Sequence, residues 1–323
     1  MSGARAPLAP RWTRAQTIKN AAIAAVTRLA LALLVPLPPR LLRVVGRVLG
    51  RLAEPLFPAA RRIALANLSA AFPALTPPAR RALLHQNYAT LGAHLGDALA
   101  SLDPRRPLSP LPVDAASLAL LRAEAGGSGV LFVSAHLGPW ERLAATLVAN
   151  GVPMTVVARE AYDPRLSHVY DRLRRARGID AIYRGAPGAP TRLVRILRGG
   201  RVLGVPMDLR SRVPSVASTF LGRPAFTAVG PARLALRTGA RVIVGTVAPE
   251  GGPSAAPLCI TCTEIPTSDL PAGPSGERAL TLRIDAELSA RIRALPHEWV
   301  WMHDRFALPD PVDSSGGWLI PQH

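Results

Sequence analysis

A chain of 323 residues, 49% of them hydrophobic and with a mean hydropathy of +0.20, can bury a sizeable core, which excludes a globally disordered protein. Its formal net charge of +18 is almost all arginine, since Lys19 is the sole lysine, and it points to anionic partners: nucleic acid, a membrane surface or an acidic carrier. Arginine-rich codon usage would raise the same charge without functional meaning. Aromatic residues at 5% leave little to stack on bases, and no basic reading module is present, so nucleic acid is not expected as a partner.

In chain order, residues 1–105 read as helical, 106–311 as alternating strands and helices, and 312–323 as a Ser/Gly/Pro-rich tail. The run from Ala21 to Leu37 is apolar, but Arg28 interrupts it and Pro36, Pro38 and Pro39 close it. It is marginal against the roughly 20 residues a spanning helix needs, and it makes no convincing secretory signal. From Arg40 to Leu56, Arg40, Arg43, Arg47 and Arg51 form one helical stripe beside Leu41, Leu42, Val44, Val45, Val48 and Leu49. That is the pattern of a helix lying in a membrane interface, although an ordinary packed helix with a solvated charged face would look similar.

After a Pro-rich stretch at 103–112 the pattern becomes α/β. Short apolar runs at Val130–Ser134, Pro153–Val157, Ile179–Arg184, Val202–Pro206 and Arg241–Val247 read as strands. Helices are expected near Pro139–Ala149, Leu166–Arg177, Pro190–Arg198 and Gly230–Thr238. This alternation predicts an α/β fold, with a mixed β-sheet flanked by helices and an N-terminal helical segment that docks on a membrane. Cys259 and Cys262 sit in a further strand-like run, where positions three apart point to opposite faces. They make no disulfide framework or metal site, and they suggest a reducing compartment.

The run SAHLGPWE ends one strand and opens the next helix. His136 stands at the strand's C-terminal end, where open α/β sheets place their ligands, and Glu141 follows in the first helical turn. A carboxylate on one ring nitrogen fixes the tautomer and makes the other nitrogen more basic, able to take a proton from an attacking alcohol. Pro139 followed by Glu141 is also simply a good helix start. Ser134 lacks the G-x-S-x-G elbow of a serine nucleophile. His297, Glu298, His303 and Asp304 do not make H-E-x-x-H, and the interleaved Trp299 and Trp301 suggest a packed terminal strand from which His303 could line the same site as His136.

Five ordered blocks together are similar to the bacterial lipid A biosynthesis (lauroyl/myristoyl) acyltransferases, relatives of lysophospholipid and phosphatidylinositol mannoside acyltransferases. RIALANLSAAFPAL resembles the family's R-x-x-x-x-N-L…F-P segment, and H-x-x-x-x-E its catalytic motif. VVAREAYDPRLSHVYDRLRRARGID resembles its second block, the segment from Gly200 to Ala240 its third, and HEWVWMHDRF its W-x-W-x-H-x-R-[W/F] ending. The third block departs from the pattern in reading Phe220–Leu221 where two aromatics are common and in lacking a loop glycine in MDLRSRVPSV.

The resemblance implies a glycerolipid acyltransferase-like fold and a direct acyl transfer, without a covalent acyl-enzyme or cofactor. The donor would be an acyl-carrier protein or acyl-CoA thioester. The acceptor would be a hydroxyl of an anionic membrane glycolipid resembling a lipid A precursor, with a phosphatidylinositol mannoside or another polar lipid as the alternative. His136 would be the general base and Glu141 its orienting partner. Arg159 would bind phosphate or steady charge on the thioester oxygen, Asp208 and Arg210 would organise the site as an ion pair, and Gly222 would belong to the substrate-binding F-x-G element. The expected location is the cytoplasmic face of the inner membrane, peripheral or held by one N-terminal anchor.

Overall fold

The computed structural model describes residues 13–306, apart from 104, 107–108, 123–126, 160–163, 211–212 and 250–257. The expected tail at 312–323 lies outside the described residues. Four helices open the chain: α1 (Arg14–Leu34), α2 (Pro39–Leu56), α3 (Pro58–Ala71) and α4 (Pro77–Ala100). Thr13 and Gln16 cap α1 reciprocally, each side chain accepting from the other's backbone N–H at 3.2 and 2.9 Å. That cap starts the helix well before the apolar run at Ala21. Its 21 residues therefore meet the length and composition needed to cross a membrane, where the run alone is marginal.

Prolines at the first helical positions of α2, α3 and α4 set each start, since the missing N–H has no partner there anyway. Helices α2 and α4 pack backbone against backbone through Gly46 and Gly50 on one and Gly92 and Gly96 on the other. A Cβ added at Gly92 would come within 2.1 Å of the Gly46 carbonyl oxygen, so only glycine permits this approach. Arg43 of α2 pairs with Asp97 of α4 beside the crossing.

Next come α5 (Ala115–Leu121), β1 (Val130–Ser134), α6 (Trp140–Ala149), β2 (Met154–Ala158), α7 (Pro164–Ala176), β3 (Asp180–Tyr183), α8 (Ala189–Arg198) and β4 (Val202–Pro206). The chain continues through β5 (Ser215–Phe220), β6 (Arg223–Ala228), α9 (Gly230–Thr238), β7 (Arg241–Pro249), β8 (Leu258–Ile265) and α10 (Pro274–Ala294). The main sheet has six strands in the order β3-β2-β4-β1-β7-β8, all parallel except the antiparallel edge pair β7–β8. Strand β1 sits near its centre and is buried from Val130 to Val133, which explains its continuous apolar run.

One hydrophobic core joins Leu68 and Leu84 of α3 and α4, Leu131 and Val244 of the sheet, and Ile284 and Leu288 of α10. The alternation read from the sequence omits the short helix α5, the long helix α10 and the separate β5–β6 hairpin. The expected terminal strand is also absent. Residues 296–298 form a 3-10 turn, and beyond it Trp299 makes only an isolated bridge to Leu137. Two buried tryptophans on a segment this short satisfy the pattern of a packed strand without a neighbour to extend it.

Candidate active site

The site forms where β1 and β4 end side by side. Their parallel register pairs Ser134 with Pro206, and the N–H of Met207 donates to the Ser134 carbonyl at 3.0 Å. Two residues further on, His136 and Asp208 therefore face each other. The Asp208 carboxylate, fully buried, takes three hydrogen bonds. His136 Nδ1 lies 2.9 Å from Oδ1, the His136 backbone N–H donates to Oδ2 at 2.8 Å, and Trp299 Nε1 donates to Oδ2 at 2.7 Å. Charged hydrogen bonds of this kind hold a carboxylate in place in a low-dielectric setting.

This geometry corrects the expected orientation of the imidazole. The carboxylate on the ring is Asp208, not Glu141. Glu141 sits in the first turn of α6 and reaches the other way, accepting from Arg174 Nη2 of α7 at 2.8 Å. Four intervening residues bring Glu141 near the ring in sequence, but the strand register brings Asp208 closer in space. Glu141 still acts on His136 through its charge.

Burial works against the charged imidazolium, yet the Asp208 carboxylate, through charge and hydrogen bond, outweighs it. Glu141 adds to that pull and Arg174 opposes it. The result is a His136 pKa raised above its ordinary value. The partner moves the other way: burial favours protonated Asp208, but His136 and the Trp299 and backbone donors hold its pKa below the usual carboxylate range. The ring of Trp140 packs edge-on against His136 at 5.1 Å.

The tail after α10 is the other half of the site, and two asparagines fasten it. Asn87 of α4 donates to the carbonyls of His297 and Trp299 at 2.9 and 2.7 Å. Asn67 of α3 donates to those of Trp301 and His303, both at 2.9 Å. The Glu298 carbonyl accepts from Gly138 N–H at 3.0 Å, tying the tail to the loop between His136 and Glu141. His303 lies close enough to feel both partners. Burial, helped by His136 and Arg305, lowers its pKa against the pull of Asp208 and Asp304.

The remaining expected residues are spread out. Arg159 is exposed at the C-terminal end of β2, two strands from His136, hence on the same edge of the sheet but about 10 Å across. Its charge depresses the pKa of Arg184, after burial the second cause. Arg210 is half-buried two residues beyond Asp208. Gly222 is exposed at the β5–β6 turn with φ +81°, after Leu221 at φ +50°, the left-handed pair that a tight hairpin demands. The turn accounts for this glycine, and a Cβ there would meet Arg293 of α10.

Arg174, Trp299, Asn67 and Asn87 were not singled out by chemistry in the sequence. Asn67, Arg174 and Trp299 lie inside the recognisable blocks, whereas Asn87 carries no separate signal. Beside Glu141 a crevice opens between α4, α6 and α7. Its walls are mainly apolar and include Leu91, Leu95, Trp140, Tyr170 and Leu173.

An imidazole held by a buried carboxylate, next to an apolar crevice, can deprotonate a hydroxyl brought beside a fatty chain. Residues 14–307 match the family model for bacterial lipid A biosynthesis acyltransferases. A search of curated proteins finds no individual match to the chain. The family match spans nearly the whole sequence, including both strand ends and the fastened tail, so this chain belongs to the bacterial lipid A biosynthesis acyltransferase family.

Proposed function

We propose that this chain moves a fatty acyl group from an acyl-carrier protein or coenzyme A thioester to a hydroxyl of an anionic glycolipid of the lipid A precursor type. The observation that carries the reading is the imidazole of His136 held through Nδ1 by buried Asp208, which leaves Nε2 for chemistry. Nε2 takes the proton of the acceptor hydroxyl as its oxygen attacks the thioester carbonyl carbon. The tetrahedral intermediate collapses, the carbon–sulfur bond breaks, and the imidazolium returns its proton to the departing thiolate. Asp208 stabilises the imidazolium between these steps and Glu141 adds a second negative charge.

The crevice beside Glu141 receives the acyl chain, and Arg159, on the same sheet edge, meets phosphate or carries charge on the thioester oxygen. Arg210 adds positive charge beside Asp208. Residues 1–105 attach the protein to the cytoplasmic face of the inner membrane, and 106–311 carry His136 and Glu141, with α3 and α4 packed onto them.

The test supplies labelled acyl-carrier protein and coenzyme A thioesters to membranes carrying the chain, with lipid A precursor and phosphatidylinositol mannoside as acceptors. Wild type should acylate the lipid A precursor, and His136→Ala should lose about 10³-fold or more of the rate, within the range for removal of a general base. A folded His136→Ala protein that transfers as fast as wild type would overturn the assignment.

A further inference from the structure

Among the described residues, the large hydrophobic side chains that stand most exposed are confined to one part of the molecule. They are on α1, on α2 with Phe57 just after it, and at two further positions, Leu95 and Tyr170. These last two both line the crevice beside Glu141, from α4 and α7. We propose that α2 lies flat in the headgroup region of an anionic bilayer and brings the crevice mouth, with Leu95 and Tyr170 as its lips, against the same lipid surface. A carrier protein or coenzyme A thioester that meets the enzyme at this surface then passes its acyl chain into the crevice along the lipid boundary. The inference rests on the crevice being the acyl site for its meaning, but its geometry stands apart from the chemistry.

Three observations place lipid there. Successive helical positions turn by about 100°, so Leu42, Gly46 and Gly50 make the inward face of α2 while Leu41, Val44, Val48, Leu52 and Leu56 look outward. Arg40, Arg47 and Arg51, all exposed, run as a ridge along one margin of that apolar face, suited to the phosphates above a buried hydrocarbon face. Helix α1, apolar and long enough to cross a membrane, is separated from α2 by four residues, and Arg106 holds the intervening turn by donating to the carbonyls of Pro36 and Leu37 at 2.8 and 2.6 Å. A chain leaving the bilayer there starts α2 at the interface.

Helix α4 packs on the inward face of α2 and reaches from there to the crevice. Its residues Tyr88, Gly92 and Gly96 meet α2, while Leu91 and Leu95, one position round the helix from Gly92 and Gly96, belong to the crevice wall. Asp97 serves both, lining the crevice and pairing with Arg43 of α2. One helix therefore carries both the seam behind α2 and a lip of the crevice.

The test places an environment-sensitive fluorophore on single new cysteines at Val48, Leu95, Tyr170 and, as a control on the charged helix α8, Arg198. Native Cys259 is buried, and burial pushes the Cys262 thiol up to about 11, so labelling goes to the new site. Each protein is bound to phosphatidylethanolamine–phosphatidylglycerol vesicles containing brominated acyl chains. The probes at 48, 95 and 170 should be quenched at least about twofold more than the probe at 198, and raised salt should weaken vesicle binding through the arginines. Quenching at 48 with aqueous probes at 95 and 170 would overturn the lateral route. Aqueous probes at all sites on bound protein would overturn the docking face, as would probes at 48 and 95 already shielded without vesicles, the mark of a second copy covering it. Quenched lips on a protein that transfers no acyl group would leave the docking intact and count against the proposed reaction.

Discussion

The Asp208–His136 centre and the outward face of α2 manage their polar and apolar groups in opposite ways. At the centre, one buried carboxylate is bonded by a ring nitrogen, a backbone N–H and an indole, drawn from two strand ends and the tail. On α2, Val44, Leu52 and Leu56 are 56%, 53% and 71% exposed, with arginines at their margin. The first region is complete within the chain, and its charge is fixed in advance of any substrate. The second is incomplete in water, since exposed apolar area of this kind is stabilised only by another apolar surface. In the proposed reading, the contrast separates a preorganised reaction centre from a surface that needs the membrane.

The sharpest way to break that contrast is Asp208→Asn. The amide keeps the shape, but it removes the charge and can set the wrong tautomer, so kcat should fall by about 10³-fold. In the proposed reaction the base acts when neutral, so the wild-type rate should rise as pH passes upward through the raised His136 pKa. Without the carboxylate that pKa drops, and the acid limb of kcat/KM against pH should move to lower pH. A limb that stays in place would show that Asp208 does not govern the ring.

Glu141→Gln should cost less, about 10–10²-fold in kcat, because it removes a charge that acts at a distance and leaves the ring's hydrogen bond intact. A loss larger than that of Asp208→Asn would reverse the ranking of the two carboxylates. The mildest expected effect concerns the seam beneath the membrane face. Gly92→Val forces α4 away from α2 and should lower unfolding stability by about 3 kcal/mol in detergent, read by thermal denaturation. Activity per folded molecule should stay closer to wild type than in either carboxylate variant. Wild-type stability would show that the two helices do not pack by backbone contact.

Much of the architecture was legible locally. The all-apolar runs Val130–Ser134 and Val202–Pro206 read as buried strands, and each became one. The arginine stripe of α2 also stood out, because helical spacing is a property of consecutive residues. The motif H-x-x-x-x-E drew attention to the loop in which Asp208 meets His136. What spacing within one segment did not contain was the partner of the imidazole. Asp208 stands 72 residues from His136, and only the pairing of β1 with β4 brings them together.

The sequence by itself determined the strand–helix alternation, the family and the position of His136 at a strand end, since each depends on short-range pattern or ordered motifs. The tertiary structure decided which carboxylate holds the ring and that Glu141 turns to Arg174. It also decided that Asn67 and Asn87 fasten the tail carrying Trp299. Those choices depend on strand register and on buried polar groups finding donors across the fold, and both are set only when the sheet and the helices have closed on one core.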